Sequence, residues 1–200
     1  QAEAVRLRKL FEYVAAKVGI MVDVVLTDGS QPIGRGIGPV LEARDVMAVL
    51  RGETGAPADL RDRAVMLAGR VLDFDPALRG GRGEARALEL LESGAALAAM
   101  ERLIAAQGAQ AVRAEPGQWT HEVPAPRDGK VTAIDCQVVA RIARLAGAPM
   151  EKGAGIDLFC KLGDAVAQGQ PLYRIHATSR TGLDFARELA GQNSGYTVAP

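Results

Sequence analysis

Residues 27–39 read Thr27-Asp28-Gly29-Ser30-Gln31-Pro32-Ile33-Gly34-Arg35-Gly36-Ile37-Gly38-Pro39. Four of these thirteen residues are glycine and two are proline. Glycine permits a positive φ and proline restricts φ to about −65°, so the segment must follow one defined path. An apolar run, Ile20 to Leu26, precedes it, and a helical pattern begins near Val40. We therefore predict that residues 27–39, the glycine-rich loop, form a turn from a strand into a helix.

A loop of this kind can hold phosphate at a helix N-terminus, but neither common nucleotide motif is present. A dinucleotide-binding loop that uses Gly34 and Gly36 needs a third glycine at position 39, where Pro39 stands. The chain also lacks the Gly-Lys-Ser/Thr sequence of a Walker-type loop. Pro39 is better interpreted as the first residue of the next helix, with Gly38 in the turn before it. A structural turn and a binding role both remain open.

The segments around the loop predict a mostly helical N-terminal part with one strand. Apolar residues at spacings of three and four predict an amphipathic helix from Ala2 to Lys17 that covers one side of a sheet. The apolar run Met21 to Leu26 predicts a strand buried on both faces. Further helices are predicted at 41–51, 60–72, 84–91 and 95–106. Because one strand cannot make a sheet, apolar surface should be exposed here unless a copy of the chain covers it.

The pattern changes after Glu115-Pro116-Gly117 to strands mixed with helices. Strands are predicted at 119–123, 129–135, 156–161, 170–176 and 196–198, and helices at 137–146 and 182–191. The fold class is therefore a mixed α/β (α+β) fold. We divide it into a part of a central α/β domain at 1–117 and a small α/β domain at 118–200.

Composition points to a globular protein of the cytoplasm without nucleic-acid or membrane partners. Hydrophobic residues make up 48% of the chain, and 24 basic residues balance 24 acidic ones, so no basic excess attracts nucleic acid. No apolar run approaches the roughly 20 residues that span a bilayer. Cys136 and Cys160 are interpreted as free, partly buried thiols, and His121 and His176 as structural histidines.

The loop and its surroundings resemble the thymidine phosphorylase and pyrimidine nucleoside phosphorylase family. The loop sequence Gly-Ser-Gln-Pro-Ile-Gly-Arg-Gly-Ile-Gly-Pro is most similar to that of the branch that contains AMP phosphorylases. The resemblance continues through short segments along nearly the whole chain: 92–94, 106–108, 123–125, 129–131, 163–164 and 169–172.

The resemblance implies a function. Enzymes of this family are cytoplasmic homodimers that cleave a nucleoside with phosphate as co-substrate, giving the free base and a pentose 1-phosphate, and they need no organic cofactor. Their phosphate-binding Lys-His-Ser-Thr-Gly-Gly segment is absent from this sequence, and their base-binding residues lie upstream of the matching region. The chain thus resembles the C-terminal part of such an enzyme, ending in its hammerhead domain. By itself it is expected to be inactive and to contribute no catalytic residue, and thymidine, uridine and AMP remain open as substrates.

Some family members also bind a cation in this loop through main-chain carbonyls and one carboxylate. The matching positions are Ile33, Gly36 and Asp45, where aspartate replaces the family's glutamate. Hard cations prefer such oxygen ligands. The resemblance therefore implies a possible metal site at these three residues.

A carrier or purely structural module is the competing interpretation. Residues 126–131 and 163–172 resemble the half-motifs of biotinyl and lipoyl carrier domains. A carrier needs a modified lysine on a hairpin between the halves, and the nearest candidate, Lys152, lies in Met150-Glu151-Lys152-Gly153 without the flanking pattern. The Gly-Asp and Gly-Gln-Pro sequences are then turn residues.

Overall fold

The computed structural model describes residues 2–78, 80–108 and 114–200. Its α/β composition confirms the predicted fold class, and the predicted helices are all present. The helices are α1 Ala2–Val18, α2 Pro39–Leu50, α3 Ala58–Leu72, α4 Arg82–Glu92, α5 Ala95–Ala106, α6 Cys136–Ala146 and α7 Arg180–Gln192. The strands are β1 Gly36–Ile37, β2 Trp119–Pro124, β3 Gly129–Ile134, β4 Gly155–Leu158, β5 Ala165–Val166, β6 Pro171–Ala177 and β7 Tyr196–Ala199.

Two antiparallel sheets organise the chain after residue 118. One has the strand order β1-β4-β6-β2, and the other has the order β5-β3-β7. In the first sheet, β6 lies between β2 and β4, with Ile175 opposite both His121 and Ile156. Its outer strand, β1, comes from the glycine-rich loop. The division into 1–117 and 118–200 stays a prediction, and β1 joins the two parts through main-chain pairing.

The main hydrophobic core lies between these sheets and the helices α6 and α7. One face of α6 is fully buried through Val139 and Ile142. Asp135 starts this helix, because its carboxylate accepts hydrogen bonds from the N–H groups of Gln137 and Val138 at 2.9 and 3.0 Å. Full burial of each large apolar side chain stabilises the fold by about 1.5–3 kcal/mol. Ile37 of the loop packs against this core.

The helices α2 to α5 pack against one another, and α2 also contacts β1 and β4. The helices α3 and α4 approach so closely at Gly69 that a Cβ on this residue would overlap the main chain of Glu84. The apolar side of α3 contributes only one buried valine, Val65.

The structure contradicts the predicted strand at Met21 to Leu26. These residues have no regular secondary structure, and Met21 is 72% exposed. A strand needs a hydrogen-bonded neighbour, and the described residues supply none beside this segment.

The placement of α1 on a sheet is also wrong within the described residues. The apolar face of α1 is open, and the exposed side chains include Leu10 and Phe11, each 56% exposed. The helix itself, and the exposed apolar surface in this region, are as predicted.

Candidate functional site

Two residues of the glycine-rich loop, Gly36 and Ile37, form an edge strand of the C-terminal sheet. Gly36 and Ile37 pair antiparallel with Asp157 and Ile156 of β4. The N–H group of Leu158 extends this pairing by donating to the carbonyl of Arg35 at 2.8 Å. The predicted turn into a helix is present, but the strand that it contains was not predicted. A two-residue strand between glycines has no periodicity in the sequence that could reveal it.

Two glycines of the loop are required by its path. Gly38 has a φ of 119°, and a Cβ there would overlap the carbonyl of Ala154. Gly36 lies against α2 so closely that a Cβ would overlap the main chain of Leu41. Pro39 begins α2, as predicted. The loop is thus a close-packed contact between α2 and β4, since no other residue type fits at these positions.

Asp45 is the buried polar centre of the site, at 4% exposure. Its Oδ2 accepts hydrogen bonds from the N–H groups of Arg35 and Gly36 at 2.6 and 2.7 Å. Its Oδ1 accepts from Nε and Nη2 of Arg44 at 3.2 and 3.0 Å. A carboxylate from α2 therefore fixes two consecutive peptide groups of the loop.

Arg44 continues this network to the C-terminal sheet. Its Nη1 and Nη2 donate to the two carboxylate oxygens of Asp157 at 2.7 and 2.8 Å. The Asp157 hydrogen bond, followed by that of Asp45, raises the pKa of Arg44 despite its partial burial. Since such paired bonds fix orientation as well as distance, α2, the loop and β4 form one unit.

Lys161 binds the other half of the loop. Its Nζ donates to the carbonyl oxygens of Pro32 and Gly34 at 2.5 and 2.6 Å. It also forms an ion pair at 3.0 Å with Oδ2 of Asp59. Burial alone would raise the pKa of Asp59, but the hydrogen bond and charge of Lys161 outweigh it and lower that pKa below 3.8.

The residues of the predicted cation site lie around one cavity of about 330 Å³. Ile33, Gly36 and Asp45 all line it, so the structure brings the three together. The Asp45 carboxylate has about four lone-pair positions, and the four N–H contacts above already use them. A cation at this carboxylate would have to displace one of these contacts, and the loop cation stays a prediction.

The other sequence candidates lie away from the loop contacts or have structural partners. Lys152 is exposed in the turn before β4, and its carbonyl accepts a hydrogen bond from the N–H group of Val40 at 3.2 Å. His176 is buried with Nδ1 3.2 Å from the carbonyl oxygen of Gly117. Cys136 and Cys160 are free thiols, as predicted. Burial raises the pKa of Cys160.

Two kinds of site are absent from the part of the chain that the structure describes. Within residues 2–78, 80–108 and 114–200, no helix is long and apolar enough to cross a bilayer. The same residues contain no group of three or more His, Cys, Asp or Glu side chains placed to hold a metal ion.

Comparisons with known proteins relate the sequence of this chain to nucleoside phosphorylases. Residues 130–197 match the family described as "Pyrimidine nucleoside phosphorylase C-terminal domain". The chain is 58% identical over 98% of its length to a "Putative thymidine phosphorylase" of Rhodopseudomonas palustris. Proteins with the same name from Methylococcus capsulatus and Nitrobacter hamburgensis are 56% and 57% identical over 98% and 99% of the chain. The chain spans 38% of the length of each of these relatives.

Proposed function

We propose that this chain forms part of a thymidine phosphorylase-like pentosyltransferase of the pyrimidine nucleoside phosphorylase family, because residues 130–197 match the C-terminal domain of that family and the whole chain is similar to proteins with this name. The intact enzyme would cleave a pyrimidine nucleoside with phosphate to give the free base and a pentose 1-phosphate. The observation that carries the proposal is 58% identity over 98% of the chain to a relative with this name.

The chemistry of such a reaction sets the task of the protein. Phosphate attacks the anomeric carbon while the base departs, so the protein must hold phosphate near that carbon and stabilise the charge on the departing base. We assign no catalytic residue to residues 1–200. Their proposed contribution is a rigid wall of the active-site cleft, since Asp45, Arg44 and Lys161 hold the glycine-rich loop at fixed distances.

A chimaera tests the proposal. Residues 1–200 replace the matching segment of the Rhodopseudomonas palustris relative, and base release from thymidine is measured with and without phosphate. We expect the chimaera to release thymine only with phosphate, at a rate within about tenfold of an active parent. The matched control is the same relative with the segment deleted, which should be inactive. A folded but inactive chimaera beside an active parent would contradict the proposal.

The same proteins decide between the substrates. The sequence of the loop resembles the AMP phosphorylase branch, so phosphorolysis of AMP is the alternative activity. Base release from uridine and AMP is therefore measured in parallel. Activity of parent and chimaera with AMP but not thymidine would select the alternative. The 200 residues alone are expected to show no turnover, and release of base by them would overturn that expectation.

The proposal also covers assembly and location. Relatives of this kind are expected to act as homodimers in the cytoplasm, with nucleoside and phosphate as their small-molecule partners. Sedimentation of the intact chimaera tests the dimer independently of the rate measurements.

A further inference from the structure

Three oxygen atoms converge on the side-chain nitrogen of Lys161. They are the carbonyl oxygens of Pro32 and Gly34, at 2.5 and 2.6 Å, and Oδ2 of Asp59, at 3.0 Å. The Lys161 side chain is only 23% exposed. An ammonium group has three N–H donors and no acceptor, so the three oxygens match its full donor capacity.

The path of the loop creates this convergence. Gly34 has a φ of 73°, a conformation that glycine adopts without strain. Its N–H group donates to Oδ2 of Asp59 at 3.2 Å, while its carbonyl oxygen accepts from Lys161. Two carbonyl dipoles and a carboxylate that point at one spot repel one another unless a positive charge lies between them.

Neighbouring contacts hold the ammonium group in place. The N–H group of Lys161 donates to Oδ2 of Asp164 at 2.8 Å, which fixes the turn after β4. The next residue, Leu162, donates its N–H group to Oε1 of Gln31 at 2.9 Å. The main chain of Lys161 is therefore fixed in the turn after β4, and its ammonium group lies against the glycine-rich loop.

We propose that Lys161 acts as a tethered monovalent cation that orders the glycine-rich loop. A free potassium or ammonium ion should then occupy the same oxygens once the side chain is removed, since main-chain carbonyls replace the hydration shell of such ions. The proposed site differs from the cation site at Ile33, Gly36 and Asp45, because it uses other oxygens. The tests below do not depend on the proposed reaction, because they need no substrate.

Chemical rescue of a lysine variant tests the proposal. Lys161→Ala and the unchanged chain are melted in potassium, ammonium and tetramethylammonium chloride at the same ionic strength. A cation at tenfold excess over its Kd stabilises the variant by about 1.4 kcal/mol, which corresponds to about 3–6 °C in Tm for a chain of this size. Tetramethylammonium is too large to fit between the three oxygens and should give no rescue.

A second lysine provides the matched control. Lys152 is exposed, and no side-chain contact of Lys152 takes part in the loop. Lys152→Ala should melt like the unchanged chain in all three salts. A Tm of Lys161→Ala that is unaltered by the substitution, or that is the same in all three salts, would overturn the proposal.

A measurement on the unchanged chain covers the case in which Lys161→Ala does not fold. Trace acetylation followed by mass spectrometry should modify Lys161 about tenfold more slowly than Lys152, since an enclosed ammonium must first lose its hydrogen bonds. The variant Asp59→Asn should remove much of that protection. Equal reactivity of the two lysines in the unchanged chain would refute the tethered cation.

Discussion

Replacement of Asp45 by asparagine is expected to destabilise the loop strongly. The amide keeps the shape of the side chain but has no charge, and one of its two ends becomes an N–H donor. If the amide oxygen faces Arg35 and Gly36, the amide NH₂ group faces the N–H donors of Arg44. In the reverse orientation the NH₂ group faces the two main-chain N–H groups, so a donor lies against a donor in either case. Hydrogen bonds to a buried charge contribute about 1.5–3 kcal/mol each, so we expect a loss of about 3 kcal/mol.

Urea unfolding followed by circular dichroism and calorimetry measure this loss. About 3 kcal/mol corresponds to a decrease in Tm of about 6–12 °C for a chain of 200 residues. Asp62→Asn is the matched control, because the Asp62 side chain is 70% exposed and its ion pair is with its neighbour Arg61, at 3.3 Å. That control should change the free energy of unfolding by less than about 0.5 kcal/mol. A loss below about 0.5 kcal/mol for Asp45→Asn would refute the role of the Asp45 charge in holding the loop.

Three further predictions concern the loop and the core. Gly38→Ala should cost more stability than Gly52→Ala, because both have positive φ but only the first Cβ would overlap a main-chain carbonyl. The lowered pKa of Asp59 means that its carboxylate stabilises the fold above about pH 4 and loses that effect as the pH falls through the folded pKa. Asp59→Asn should therefore be less stable than the unchanged chain at pH 7, and the difference in urea midpoint should decrease as the pH falls below about 4. Burial raises the pKa of Tyr173 and Tyr196, so an ultraviolet titration should show these two of three tyrosines protonated at about pH 11 until the chain unfolds.

Each of these has a result that contradicts it. Equal losses for the two glycine variants would mean that the contact between α2 and β4 is looser than described. A stability difference for Asp59→Asn that does not depend on pH would show that charge is not its source. Ionisation of all three tyrosines in the folded chain would contradict the burial of Tyr173 and Tyr196, whose hydroxyls donate to main-chain carbonyls at 2.9 and 2.8 Å.

Local chemistry explains why most helices could be predicted from sequence. The start of α2 follows from Pro39, and the start of α6 from Asp135 as a capping residue. Such signals depend on residues within one turn of each other, so no distant contact is needed to interpret them. The same is true of the strands after residue 118, whose turns are marked by glycine and proline, except for the two-residue strand β5, which was not predicted.

Two elements of the N-terminal part could not be predicted. The apolar run Met21 to Leu26 has the composition of a buried strand, but pairing requires a neighbour that the pattern does not specify. The strand β1 has no such composition and nevertheless pairs with β4. The pairing of β1 with β4 depends on how distant parts of the chain pack together, and the periodicity of the sequence contains no information about that packing.

In the site, too, the roles of residues that depend on distant contacts could not be predicted. The family resemblance implies that Asp45 is a ligand of a possible cation, and this stays a prediction; the structure shows the Asp45 carboxylate accepting hydrogen bonds from two N–H groups of the loop. Lys161 was not identified, because a single lysine in a turn after a strand is ordinarily a solvated residue. The role of Lys161 is visible only in its contact with Pro32, which is 129 residues away along the chain.

The pairing of β1 with β4 also bears on the order of folding during synthesis. Leu158, which donates to the Arg35 carbonyl, leaves the ribosome about 120 residues after it. At about 5–20 residues per second, the loop waits roughly 6–24 s for its partner strand. During that interval Asp45 can begin to hold the loop, but the main-chain edge of β1 stays open to other strands. Gly36 and Gly38, which are required by the final packing, also make this edge a poor template for aggregation, because glycine weakens isolated strands.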